Sequence, residues 1–195
     1  MPRQFIAMVP KGLSEHPDLK QLLSKLKRTM SDRGQEVRWM APDLWHVTIQ
    51  FLGELNPARN EELQKLLQHW NPKVDDLSFR FQGLGAFPEP TQARVLWVGV
   101  KETQELLRIH QELADKLRSA SFVVDEKEFK PHLTLARFRN TLSATELVKL
   151  GGRKHFGDYP VSELVLFQSV LQGNIIKYVP LMRKPLTING SSLAP

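Results

Sequence analysis

Residues 45–53 read WHVTIQFLG, an apolar run of strand length that carries an imidazole at His46 and a hydroxyl at Thr48. Successive side chains of an extended chain point to opposite faces, so strict alternation puts His46, Thr48 and Gln50 on one face and Val47, Ile49 and Phe51 on the other. One face is apolar and suits a core; the other carries groups that accept, donate and move protons. A lone strand histidine is ordinarily a hydrogen-bonded residue of the fold, so the reading turns on whether the arrangement recurs. It does recur. Residues 129–138 read FKPHLTLARF, in which His132, Leu133, Thr134 and Leu135 repeat the order of His46, Val47, Thr48 and Ile49.

The surroundings of the two copies are also alike. Residues 3–9 (RQFIAMV) read as a strand, after which Leu19, Leu22, Leu23, Leu26 and Met30 recur at helical spacing until Gly34. A strand over 36–40 then leads into the first H-x-T run. A second helix carries Leu63, Leu66, Leu67 and Trp70 between Asn56-Pro57 and Asn71-Pro72. The pattern restarts with strands over 77–87 and 94–100 and a helix marked by Leu106, Ile109, Leu113 and Leu117, and the second H-x-T run follows. Each copy therefore follows a helix, which implies an internal duplication with the two strands facing one another. His110 sits in a helix beside Ile109, His69 ends another, and His16 and His155 fall in expected loops; none repeats the H-x-T spacing. Residues 186–195 (LTINGSSLAP) lack periodicity and read as a flexible tail to a domain over 1–185.

Composition narrows the function. A chain of 195 residues with 41% hydrophobic residues is long enough to bury a core and is neither disordered nor fibrous. No apolar run approaches the roughly 18 residues of a membrane helix, and the apolar core of the N-terminus is too short for a signal peptide. With no cysteine, thiol redox chemistry and thiolate metal sites are excluded, which fits a reducing cytoplasm. The net charge of +6 favours a polyanionic partner, because Lys and Arg near phosphates gain from counterion release. The basic residues are spread along the chain rather than massed in a tail.

Two imidazoles and two hydroxyls, with no carboxylate in either motif, suit a particular chemistry. Imidazole titrates near neutral pH, so one histidine can accept a proton while its twin donates one. Threonine hydroxyls hydrogen-bond anionic oxygens without adding charge, and a phosphodiester fits between the two. A metal site is the rival, but two histidines alone hold zinc poorly and no clustered ligand motif is present. There is no G-x-S-x-G elbow and no P-loop.

At these residues the sequence resembles the 2H phosphoesterases, named for paired H-x-T-x motifs, and within them the bacterial and archaeal RNA 2',3'-cyclic phosphodiesterases formerly called 2'-5' RNA ligases. The likeness runs from RQFIAMVP through RWMAPDLWHVTIQFLGEL, FRFQGLGAFPEPTQARVLWVGV and FKPHLTLARF to LVLFQSVLQGNIIKYVPL. It implies an α+β fold of two pseudo-symmetric lobes, each an antiparallel sheet with helices outside, and a central groove carrying one H-x-T-x strand from each lobe. It implies a monomer that opens a terminal RNA 2',3'-cyclic phosphate to a 2'-phosphomonoester, with no metal or other cofactor and no obligate protein partner. Weak joining or cleavage of 2'-5' linkages, or catalytically idle nucleotide binding, stand as alternatives. Carried over by motif, His46 and His132 are the acid-base pair, Thr48 and Thr134 the phosphate donors, and Arg137 a third phosphate ligand. Strict alternation puts Arg137 on the face opposite His132 and Thr134, so the strand must bulge or the arginine must reach around its end. Phe5 and Met8 are candidates to touch a base, with core packing the simpler reading; Arg94 and Trp97 match the family in position, and Trp97 is expected to be structural.

Overall fold

In a computed structural model the chain is described over residues 2–31, 36–74, 77–172 and 175–186. The described residues form eight strands: β1 (Arg3–Pro10), β2 (Val37–Trp39), β3 (Val47–Glu54), β4 (Ser78–Phe87), β5 (Ala93–Val100) and β6 (His132–Leu142), where the sequence reads strands, and β7 (His155–Gln172) and β8 (Ile175–Pro185), where it reads none. The apolar runs at helical period form α1 (Pro17–Ser31), α2 (Pro57–His69) and α3 (Gln104–Ser119), and α4 (Thr145–Gly151) follows β6. The fold is α+β with one large antiparallel sheet.

The hydrogen-bonding order is β1-β3-β6-β5-β4-β7-β8, with β2 on β6 and β7 returning to pair with β1. The strands therefore fall into two groups. β1, β3, β8 and the later part of β7 form one half; β2, β4, β5, β6 and the start of β7 form the other. The long strand β7 passes from one half to the other. It pairs with β4 through residues 155–160 and with β1 through residues 161–169. Opposite β7 the halves meet through a single register pair, Val47 with Leu133, which lies inside the two H-x-T motifs. The lobes expected from the duplication are thus two halves of one sheet, and the motif strands are where they touch.

The helices bury the residues their periodicity picks out. Leu19, Leu22, Leu23, Leu26 and Met30 of α1 and Leu106, Ile109, Leu113 and Leu117 of α3 all lie in the core. Side-chain caps start two helices: the Asn56 side-chain oxygen accepts from the Arg59 amide at 2.9 Å, and the Thr103 hydroxyl accepts from the Leu106 amide at 3.1 Å. The far end of α2 is closed from a distance, since Lys184 on β8 donates to the carbonyls of Leu67, Gln68 and Trp70. Helix α4, at seven residues, is too short for periodicity to reveal. It lies close on β4, where a methyl group added at Gly151 would stand 2.3 Å from Leu84. His155, expected in a loop, is the first residue of β7, because the strand extends back to pair with Gln82. Leu186, the first residue of the expected tail, is buried against the core; residues 187–195 and the helix stop at Gly34 lie outside the described residues.

Candidate active site

Both motif strands break alternation at the same point. In the pairing of β1 with β3, Ile6 faces Gln50 and Ala7 faces Thr48, so Ile49 is skipped. In the pairing of β5 with β6, Leu96 faces Ala136 and Trp97 faces Thr134, so Leu135 is skipped. Each skipped residue is a β-bulge one position after the motif threonine. The bulge lets two consecutive residues point inward, Ile49 with Gln50 and Leu135 with Ala136, all four of them buried. The next residue is thereby returned to the face of the histidine and threonine.

This resolves the placement of Arg137, which lines the same cleft as His132 and Thr134. It also corrects the reading of the first motif. Gln50 is only 3% exposed and donates from Nε2 to the neighbouring Phe51 carbonyl at 3.1 Å. Phe51, expected in the core, is 52% exposed and stands at the cleft. Phe51 follows Thr48 by the same three positions that separate Arg137 from Thr134. Aligning the two copies residue by residue exposes that equivalence; a two-residue period conceals it.

The histidines are held alike. Nδ1 of His46 donates to the Leu44 carbonyl at 2.7 Å and Nδ1 of His132 donates to the Lys130 carbonyl at 2.6 Å, each two residues back along the chain. A carbonyl only accepts, so Nδ1 carries the proton in the neutral ring and Nε2 is left with the free lone pair. Both rings lie against aromatic walls. His46 stacks on Phe5 with centroids 5.1 Å apart and meets the edge of Tyr178 at 5.2 Å. His132 meets Phe87 at 4.9 Å and Trp97 at 5.9 Å. Trp97 has room because Gly85 lies opposite it in the register, where a Cβ would come within 2.2 Å of the indole.

Burial in these walls pushes the His46 imidazolium down from the usual 6.5 to about 4, and the nearby charges of His132 and Arg137 push the same way. Burial, with Arg137, also holds His132 below its ordinary value. Burial thus favours the neutral ring at both histidines in the unliganded protein.

Two clefts of about 380 and 260 Å³ open on either side of this centre and share Thr48, Phe51, His132, Thr134 and Arg137. The larger runs past Phe87 toward His110, whose ring stacks on Phe129 at 4.0 Å. The smaller includes His46, Phe5, Arg3, Ser169 and Tyr178. All five residues singled out by the sequence thus come together. Met8 is fully buried in the core, and Arg94 does not line either cleft. Phe5 is buried but reaches the cleft as the wall behind His46. Among the described residues no three histidine, aspartate or glutamate side chains gather as metal ligands would.

Two H-x-T strands meeting at the seam of a closed antiparallel sheet, with their histidines turned to a common cleft, are the arrangement that gives the 2H phosphoesterases their name. The model of the family described as the AKAP7 2'5' RNA ligase-like domain matches residues 11–178, and the chain belongs to that family. It is 34% identical over 161 residues to the RNA 2',3'-cyclic phosphodiesterase of Aeropyrum pernix, covering 80% of this chain and 90% of that protein. It is 35% identical over 136 residues to the RNA 2',3'-cyclic phosphodiesterase of Archaeoglobus fulgidus, covering 69% and 76%. In fold it is similar to TT0787 of Thermus thermophilus, with a TM-score of 0.75 at 23% identity over 96% of this chain and 99% of that one. It is also similar to E. coli LigT complexed with 3'-AMP, with a TM-score of 0.68 at 22% identity over the same shares.

Proposed function

We propose that this protein hydrolyses the terminal 2',3'-cyclic phosphate of RNA to a 2'-phosphomonoester, with His46 and His132 as the proton-transfer pair and no metal ion. The observation that carries the proposal is the matched tethering of the two imidazoles, which presents one Nε2 from each half of the sheet to a single cleft. The names of the relatives, RNA 2',3'-cyclic phosphodiesterases, support the substrate.

In the proposed reaction a neutral imidazole takes a proton from water as the water oxygen bonds to phosphorus. The bond from phosphorus to the 3' oxygen breaks, and the second imidazole, protonated, gives its proton to that oxygen. The phosphate stays on the 2' oxygen. In-line displacement requires the two proton-transfer groups on opposite sides of the phosphorus, which suits histidines contributed by opposite halves of the sheet. Thr48, Thr134 and Arg137 hold the non-bridging oxygens, the arginine with a planar fork matched to phosphate. The exposed ring of Phe51 offers a stacking surface for the terminal base. An incoming phosphate anion favours protonation of one imidazole and so opposes the effects that lower both in the empty site.

Both histidines come from one chain, so the site is complete in a monomer. No helix among the described residues is long and apolar enough to cross a membrane, and a chain with no cysteine suits RNA metabolism in a reducing cytoplasm. A binding protein has no use for two proton-transfer groups, which favours the enzyme over an idle receptor. Weak activity on 2'-5' linkages is a secondary expectation of the same site.

Incubating purified protein with a 2',3'-cyclic-phosphate oligonucleotide in EDTA, and identifying the product by phosphorus NMR, tests the proposal. The expected product is the 2'-phosphate. A 3'-phosphate, or activity lost to EDTA and restored by zinc, overturns it.

A further inference from the structure

Three arginines form a ribbon that begins in the cleft and leads out of it. In the pairing of β2 with β6, Arg38 lies directly opposite Arg137, flanked by Trp39 opposite Ala136 and Val37 opposite Phe138. Directly opposed residues of an antiparallel pair share a face. Ala136 and Phe138 are buried in the core, with Val37 and Trp39 packed against it, so Arg38 and Arg137 share the outer face. Arg139, two positions beyond Arg137, continues on that face. An open groove of about 680 Å³ runs along Arg38, Arg137 and Arg139, and Arg137 also lines both clefts of the candidate site. The ribbon is therefore continuous with the place where the phosphate is proposed to sit.

Arg38 and Arg137 set two guanidinium charges directly opposite one another across the strand pair, which concentrates positive charge beside the cleft. Arg139 has Glu36 at 3.1 Å, but the two side chains are 77% and 76% exposed, and an ion pair so open to water contributes little. In the other half of the sheet the motif counterpart of Arg137 is the uncharged Phe51, and the arginine that lines the smaller cleft from that side is Arg3 of β1.

We propose that Arg38 and Arg139, together with Arg137, form a track for the backbone phosphates that precede the reacting end of a single-stranded RNA, so that oligonucleotides are preferred to nucleoside cyclic monophosphates. The proposal deepens the phosphodiesterase reading and rests on it for the identity of the end group. A terminal cyclic phosphate sits at the end of a chain whose remaining nucleotides must leave the cleft. Residues two apart on a strand are roughly 6.5 Å apart, comparable to the separation of successive phosphates in an extended single strand. Guanidinium groups at that spacing can follow a backbone without reading its bases.

The test is binding rather than turnover. A 5'-labelled trinucleotide ending in a 2'-phosphate, and separately a nucleoside 2'-monophosphate, are titrated with wild type, Arg38→Gln, Arg139→Gln and the double variant at several salt concentrations. For the trinucleotide the double variant is expected to bind roughly tenfold more weakly at low salt. The slope of log affinity against log salt should shrink by about 0.7 for each arginine removed. Mononucleotide binding should stay unchanged. Equal losses for both ligands, or no loss for either, overturn the track. Should Arg38→Gln fail to fold by thermal melt, the highly exposed Arg139→Gln carries the comparison alone. Failure of wild type to open a cyclic phosphate counts against the enzymatic reading, and the titrations still decide the track.

Discussion

Each imidazole presents Nε2 to the cleft because Nδ1 is committed to a carbonyl two residues back. Under the proposed chemistry, His46→Ala and His132→Ala should each lower kcat by roughly a hundredfold or more, since each removes a proton-transfer partner. Thermal melts separate this from unfolding, and near-wild-type turnover in either variant would rule out the pair. Thr48→Val and Thr134→Val keep the shape and lose the hydroxyl donor; they should weaken phosphate binding with little change in melting temperature. The pH profile follows from the shifts. In the free protein His46 titrates near 4 and His132 below 6.5, and catalysis needs one ring neutral and the other protonated. The bell in kcat/KM should therefore peak below pH 6.5, whereas the bell in kcat, which reports the complex, should lie at higher pH because the bound phosphate favours the imidazolium. A kcat/KM that climbs steadily through pH 8 would contradict this assignment of charge states.

At the scale of elements, the bulges after Thr48 and Thr134 decide what faces the cleft. Without the bulge at Leu135, Arg137 would point into the core with Leu133 and Leu135. The wall behind His132 depends on a missing side chain. Gly85→Ala drives a methyl group into the Trp97 ring, and the indole must shift away from Phe87 and His132. Loss of activity is expected with a stability cost of roughly 1–3 kcal/mol, the range for overpacking. Activity and melting temperature both matching wild type would mean that Trp97 is not a fixed wall. Outside both clefts, Lys184 gathers the end of α2. Lys184→Met should destabilise by about 1–2 kcal/mol in urea melts through orphaned helix carbonyls, with kinetics unchanged because the residue lies outside both clefts.

Over the whole molecule, the same burial that tunes His46 makes stability depend on pH. Its value is 6.5 in the unfolded chain and about 4 when folded. As pH falls the unfolded state takes the proton first, so this part of the stability is full above pH 6.5 and is lost progressively down to about pH 4. The loss is on the order of 3 kcal/mol, and His132 adds to it in the same direction. Urea melts of wild type and His46→Gln at pH 7 and pH 4.5 should show the wild type losing more on acidification; identical losses would place the effect elsewhere.

What could be read from residues alone was whatever repeats locally. The period of Leu19 to Met30 and of Leu106 to Leu117 marked two helices, the apolar runs marked six of the eight strands but not β7 or β8, and the recurrence of H-x-T picked out His46, Thr48, His132 and Thr134. These signals survive in sequence because alternation and helical period are properties of a few consecutive residues. The tertiary structure alone decided three things. It placed the bulges at Ile49 and Leu135, which turn Phe51 and Arg137 toward the cleft; the sequence required a bulge or a reach at Arg137 without choosing between them and gave no sign of one before Phe51, because a bulge is a mismatch between two strands. It joined the two lobes into one sheet through β7 and the Val47–Leu133 contact, a pairing of residues far apart in the chain. And it set the proton affinities of the histidines, because the rings that exclude water from His46 come from β1, β7 and β8, strands that its own sequence neighbourhood does not name.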